Sequence, residues 1–227
     1  MKPRCILFDL DNTLVDRPAS LTKYAEEFEK AFSGRLGDIS IEKLDQIIQK
    51  NDGGGYIPKD RMFPNLATVL PWSSAPTTEE LSEHWFSVYP AVTVGMPGHR
   101  EILESVRSCG IKTGLLTNGR TKTQNTKVDL LGLRPLLDCI VISEATGYKK
   151  PAPEIFFIAM SEAGTQPEET WFVGDHPIND VKGANQVGLT GVWMTGSHPW
   201  PSDEPPPNYE IDALDQLSLL IDIAETT

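Results

Sequence analysis

The period of the apolar residues changes twice along this chain. Near the N-terminus Cys5-Ile6-Leu7-Phe8 is a short unbroken apolar run, the pattern of a strand buried on both faces of a parallel sheet. From about Pro18 to Pro90 the spacing becomes helical. Leu21, Tyr24, Ala25, Phe28, Ala31 and Phe32 recur on one face, as do Ile41, Leu44, Ile47 and Ile48. Thr77 with Glu80 has the capping-box spacing, and Leu81, His84, Trp85 and Val88 follow on one face. No strand pattern interrupts this stretch, which predicts a helical insert.

From Pro97 onward helix and strand patterns alternate. The predicted helices run from Pro97 to Cys109, around Gln124 to Leu131, from about Pro153 to Ala163 and from about Ile178 to Val187, with Gly110, Gly132, Gly164 and Gly188 as their stops. Between and after them lie the strands Ile111 to Thr117, Cys139 to Ile142, Trp171 to Gly174 and Thr190 to Met194. Such alternation predicts an α/β fold, a parallel sheet with helices on both faces. His198 to Tyr209 carries five prolines and reads as a surface loop, and Leu214 to Ala224 as a closing helix. The expected organisation is a core domain of residues 1–15 and 95–227, interrupted by a helical domain of residues 16–94.

Composition narrows the class. At 227 residues the chain can bury a sizeable core, and its net charge of -12 with no basic stripe excludes nucleic acid or an anionic membrane as a general partner. Cys5, Cys109 and Cys139 sit in or beside apolar segments with no metal-ligand spacing, as expected of reduced core residues. The apolar run after Lys2 and Arg4 is too short for a signal sequence, and none is long enough to span a membrane, so a cytoplasmic location is expected. The pattern leaves monomer and homodimer both open.

Candidate chemistry collects where the strands end, because ligands of such sheets bind beyond the carboxyl ends of the strands. The first strand ends in Asp9 and Asp11, two carboxylates that need a cation or a shared proton to coexist and that suit Mg²⁺; an Asp-rich turn is the alternative. The second ends in Thr117-Asn118-Gly119, a hydroxyl and backbone N–H groups suited to a phosphate. After the third, Pro151 biases Lys150 toward an extended conformation at the start of a helix, and Lys149 reads as solvated. The fourth ends in Gly174-Asp175-His176, with Asp180 following. In the insert, Gly53-Gly54-Gly55 lacks the Gly-Lys-Ser/Thr of a P-loop and leads to Lys59 and Arg61, candidates to face a substrate.

As an ordered set, these motifs resemble the haloacid dehalogenase superfamily, in its subfamily with a helical cap after the first strand. The resemblance implies a Rossmann-like doubly wound sheet with an inserted α-helical cap, and a Mg²⁺-dependent phosphatase acting on a small phosphate ester through an aspartyl-phosphate. It makes Asp9 the nucleophile and Asp11 the general acid and base. Asp9, the Asp11 carbonyl and Asp175 would bind the metal, with Asp180 orienting Lys150 or metal-bound water. Thr117, Asn118 and Lys150 would hold the phosphoryl group, and Thr13 would hydrogen-bond within the Asp9 loop. Rival readings are a phosphomutase with the same residues, a 2-haloacid dehalogenase, which Asp11 argues against because those enzymes lack an acid at the matching position, and a non-catalytic binding module. The substrates of similar chains, sugar phosphates, phosphoglycolate and nucleotides, do not choose one for this protein.

Overall fold

The structure, a computed structural model, describes residues 2–226. In chain order its strands and helices are β1 (Cys5–Phe8), β2 (Val15–Asp16), α1 (Arg17–Phe32), α2 (Ile41–Asp52), α3 (Lys59–Val69), α4 (Thr78–Val88), β3 (Val94–Gly95), α5 (His99–Ser108), β4 (Lys112–Thr117), α6 (Thr121–Leu130), β5 (Cys139–Ile142), α7 (Ser143–Thr146), α8 (Pro153–Ala163), β6 (Thr170–Gly174), α9 (Gly183–Gln186), β7 (Thr190–Met194), β8 (Tyr209–Ile211) and α10 (Gln216–Thr226). They divide into two compact units, Met1–Val15 with Gly95–Thr227, and Asp16–Val94. Among the described residues no helix is long and apolar enough to cross a membrane.

In the first unit six parallel strands are ordered β5-β4-β1-β6-β7-β8. β1 lies inside, with Phe8 in register with Leu115 of β4 and Val173 of β6, which is why all four of its residues are wholly buried. Alternate residues serve opposite faces: Ile6 and Phe8 pack in a cluster with Leu103 and Val106 of α5, while Cys5 and Leu7 pack with Ile155 and Phe156 of α8. Each fully buried Ile, Leu or Phe side chain here stabilises the unit by about 1.5–3 kcal/mol. From β1 the chain goes to one side, then returns to β6 on the other, so Asp9 leaves β1 at the switch point of the sheet.

Several elements depart from the sequence expectation. The segment ending at Tyr209 is not all loop: Tyr209–Ile211 forms β8, paired with Val192–Met194, with Tyr209 stacked on Trp171. α5 begins only at His99, after Gly98 turns the backbone left-handed at φ 76°. α6 starts three residues before Gln124, because its first turn, Thr121-Lys122-Thr123, is polar and carries no apolar signal. The expected helix from Ile178 to Val187 is a π-helical turn, Pro177–Lys182, followed by the short α9. Cys5 and Cys139 are buried as expected, whereas Cys109 is exposed, since it follows the last turn of α5.

The second unit contains α1 to α4 around Tyr24, Phe28, Trp85 and Tyr89. Asp16 caps α1 and Ser40 caps α2, and Thr77 with Glu80 forms the anticipated capping box on α4. Trp85 stacks on Tyr89 with ring centroids 4.4 Å apart, and the Tyr24 hydroxyl bonds to His84 Nδ1 at 3.0 Å.

Candidate active site

The ends of β1, β4 and β6 converge on one cluster with Lys150, which comes from the segment between α7 and α8. The Asp9 backbone N–H donates to the Val173 carbonyl at 2.9 Å, which extends the β1 ladder by one residue and fixes where its carboxylate begins. The chain then tightens on itself: Leu14 and Val15 N–H both donate to the Leu10 carbonyl, and Asn12 takes a left-handed φ of 62°. That conformation is one Asn tolerates better than most residues. It lets Asn12 Nδ2 donate to Asp175 Oδ2 at 3.1 Å, a contact with no signal in the sequence beyond adjacency to Asp11.

Lys150, only 3 % exposed, is the centre of charge. Its Nζ donates to Asp9 Oδ1 at 2.6 Å and lies 2.7 Å from Asp180 Oδ1. Asn118 anchors its backbone from β4, donating from Nδ2 to the Lys150 carbonyl and accepting the Lys150 N–H at Oδ1. Asp180 also accepts the His176 N–H at 3.0 Å and lies across Gly174, where a Cβ would stand 2.6 Å from the Asp180 carboxyl carbon. Glycine at position 174 is therefore what lets β6 end against that carboxylate.

Carboxylate oxygens of Asp9, Asp175 and Asp180 all lie within 4.8 Å of one another. Burial pushes the Asp9 pKa up, and Lys150 only partly offsets this; Asp175 is pushed up by burial and then by the neighbouring charges of Asp180 and Asp9. Burial would lower the Lys150 pKa, but Asp180 and Asp9 outweigh it and raise it. Three carboxylates face one ammonium, so the ionised cluster carries two uncompensated negative charges.

Asp11 points elsewhere. Its carboxylate accepts from Lys127 Nζ at 2.7 and 2.8 Å and from Gln124 Nε2 at 3.1 Å, and Gln124 Nε2 also donates to Thr117 Oγ1 at 2.8 Å. Neither α6 residue stood out in the sequence, although both are buried polar side chains.

The remaining expectations divide. Thr13 Oγ1, expected to hydrogen-bond in the Asp9 loop, is buried without a partner among the described residues. His176 Nδ1 accepts from the Ile178 and Asn179 N–H groups, capping the π-helical turn. His198 Nε2 lies 3.5 Å from Asp175 Oδ2, and Trp193 Nε1 donates to the Asp175 carbonyl. In the second unit Lys59 pairs with Asp52 at 2.7 Å over the Trp85 ring, while Arg61 is exposed. Arg17, which carries no signal in the sequence pattern, forms a buried two-pronged pair with Asp52, both contacts 2.7 Å.

The haloacid dehalogenase-like hydrolase family model matches residues 6–194. The chain belongs to that family. This hydrolase is 29% identical over 219 residues to the glyceraldehyde 3-phosphate phosphatase of Methanocaldococcus jannaschii, covering 93% of this chain and 94% of the relative. It is 24% identical over 238 residues to human N-acylneuraminate-9-phosphatase, covering 96% and 93%. Its fold matches the crystal structure of the hydrolase YfnB from Bacillus subtilis bound to magnesium, with a TM-score of 0.79 at 22% identity, covering 98% of this chain and all of that one.

Proposed function

We propose that this hydrolase is a phosphatase of small phosphorylated metabolites, a sugar phosphate, a phosphoglycolate-like acid or a nucleotide, working through an aspartyl-phosphate at Asp9. The observation that carries the reading is the buried cluster in which Lys150 bridges Asp9 and Asp180 while Asp175 adds a third carboxylate. The similarity to two proteins named as phosphatases supports it.

The donor set fits a divalent cation. The cluster has hard oxygen ligands, crowded and buried, and its two uncompensated charges match Mg²⁺. Asp9, the Asp11 carbonyl and Asp175 would hold the ion, and Asp180, already paired with Lys150, would orient that lysine. When bound, Mg²⁺ supplies charge neutralisation and orientation of the phosphoryl oxygens.

The steps belong to the chain's own residues. An oxygen of the Asp9 carboxylate attacks phosphorus as the ester P–O bond breaks, and Asp11 gives a proton to the departing oxygen. Asp11 then takes a proton from water, which attacks the aspartyl-phosphate, releases phosphate and restores Asp9. Thr117 and the Asn118 backbone N–H bind the transferring group, and Lys150 offsets its charge. In this reading residues 1–15 and 95–227 form the catalytic core and residues 16–94 the cap. Arg61 is the better candidate for substrate contact there, since Lys59 is tied to Asp52; Arg61→Ala should lower the specificity constant for the physiological ester.

A Mg²⁺-dependent assay with p-nitrophenyl phosphate, followed by a screen of phosphorylated metabolites, tests the proposal. Asp9→Asn should abolish release of phosphate. Absence of turnover by wild type, or equal turnover by Asp9→Asn, would refute the phosphatase reading, and transfer between sugar phosphates would replace it with a mutase.

A further inference from the structure

The i, i+3 spacing of Gln124 and Lys127 puts both side chains on one face of α6. Lys127 is 1% exposed and Gln124 2%, and both turn to the same carboxylate, Asp11. Three donor contacts, at 2.7, 2.8 and 3.1 Å, fix both Asp11 oxygens against the helix.

The carboxylate also decides which way the Gln124 amide faces. With its oxygen toward Asp11, two acceptors would oppose each other, so the NH₂ group faces the carboxylate. The same NH₂ reaches Thr117 Oγ1 at 2.8 Å. A hydroxyl that accepts there keeps its own hydrogen for a different acceptor, and Thr117 stands at the end of β4 where a phosphoryl oxygen would supply one. The backbone makes room for this link: a Cβ on Gly119 would stand 2.9 Å from Gln124 Cγ and Cδ, closer than real contacts allow.

We propose that Gln124 and Lys127 are positioning residues of the phosphoryl-transfer site. Lys127 holds the Asp11 carboxylate against α6, and Gln124 links that carboxylate to the donor direction of the Thr117 hydroxyl. The proposal rests on the phosphatase reading, in which Asp11 carries the proton and Thr117 holds phosphate. It assigns to α6 the alignment of two groups contributed by different strands.

The test uses the full chain with Mg²⁺ and p-nitrophenyl phosphate, and inorganic phosphate as the binding probe. Lys127→Met should lower kcat at least tenfold with KM and the phosphate inhibition constant within threefold. In an Asp11→Asn background it should cost nothing further, because the lysine acts through that carboxylate. Gln124→Leu should weaken inhibition by phosphate at least fivefold. If Lys127→Met does not fold, Lys127→Gln carries the same cycle. Undiminished kcat in folded Lys127→Met, or an equal loss in the Asp11→Asn background, would overturn the proposal. A crystal structure of Lys127→Met decides the positioning role apart from turnover: Asp11 should leave Gln124, and Asp11 unmoved would overturn it. Wild type without turnover would instead refute the phosphatase reading.

Discussion

The Asn118 side chain holds the Lys150 backbone in a two-way bridge, the Lys150 N–H donating to Asn118 Oδ1 at 2.9 Å and Asn118 Nδ2 donating to the Lys150 carbonyl at 3.0 Å. The bridge spans 32 residues of sequence and ties the end of β4 to the approach of α8. It fixes the backbone from which the buried ammonium reaches Asp9.

Asn118→Ala should therefore harm catalysis more than folding. Two hydrogen bonds are lost, about 1–3 kcal/mol of stability. A misplaced lysine should cost about 10²-fold in kcat. Thermal unfolding and kcat measured together check this, and an unchanged kcat would argue that Lys150 is held by its carboxylate partners alone.

The crowding of Asp9, Asp175 and Asp180 makes cation binding a stability effect. Mg²⁺ at about a hundred times its dissociation constant should stabilise the folded protein by about 2.7 kcal/mol, since it binds the native state preferentially. Differential scanning fluorimetry should show this rise in wild type and its loss in Asp175→Asn.

Thr13→Val removes a buried hydroxyl that has no partner among the described residues. The two side chains are nearly the same shape, so stability should stay level or rise by up to about 1 kcal/mol. A clear fall in the melting temperature would mean that the hydroxyl is satisfied in solution.

Asp52 provides a pH-dependent contribution to stability. Burial would raise its pKa, but the Arg17 guanidinium and the Lys59 ammonium outweigh that and hold it below the usual carboxylate range. A depressed folded-state pKa means stability that is present above the unfolded value, about 3.9, and lost as pH falls through the folded one. Asp52→Asn removes the carboxylate from the buried Arg17–Asp52 pair and should cost about 3–5 kcal/mol at neutral pH. Denaturant unfolding from pH 7 down to pH 3 should show the gap between wild type and variant constant above about pH 5 and shrinking below about pH 4.

The residues that end the inner strands were legible because a parallel sheet needs apolar runs, and Asp9, Thr117 and Asp175 each interrupt one. β8 was not. Three residues after a proline-rich segment carry no period, and only pairing with β7 makes them a strand. The contacts of Asp11 were equally hidden, since Lys127 lies 116 residues away in sequence and Gln124 113. A helical residue's spacing says which face it shares and nothing about what lies opposite. The Arg17–Asp52 pair, 35 residues apart, is another such case.

Local chemistry along the chain thus determined the strands, the helical insert and the polar groups at the strand ends, because hydrophobic period and turn residues act over a few positions. Tertiary structure alone decided which charges meet. It turned Asp11 toward Lys127, placed Asn12 on Asp175, and set Asp180 across Gly174. The reason is physical: a buried charge takes its partner from whatever the fold packs against it, at distances no sequence spacing encodes.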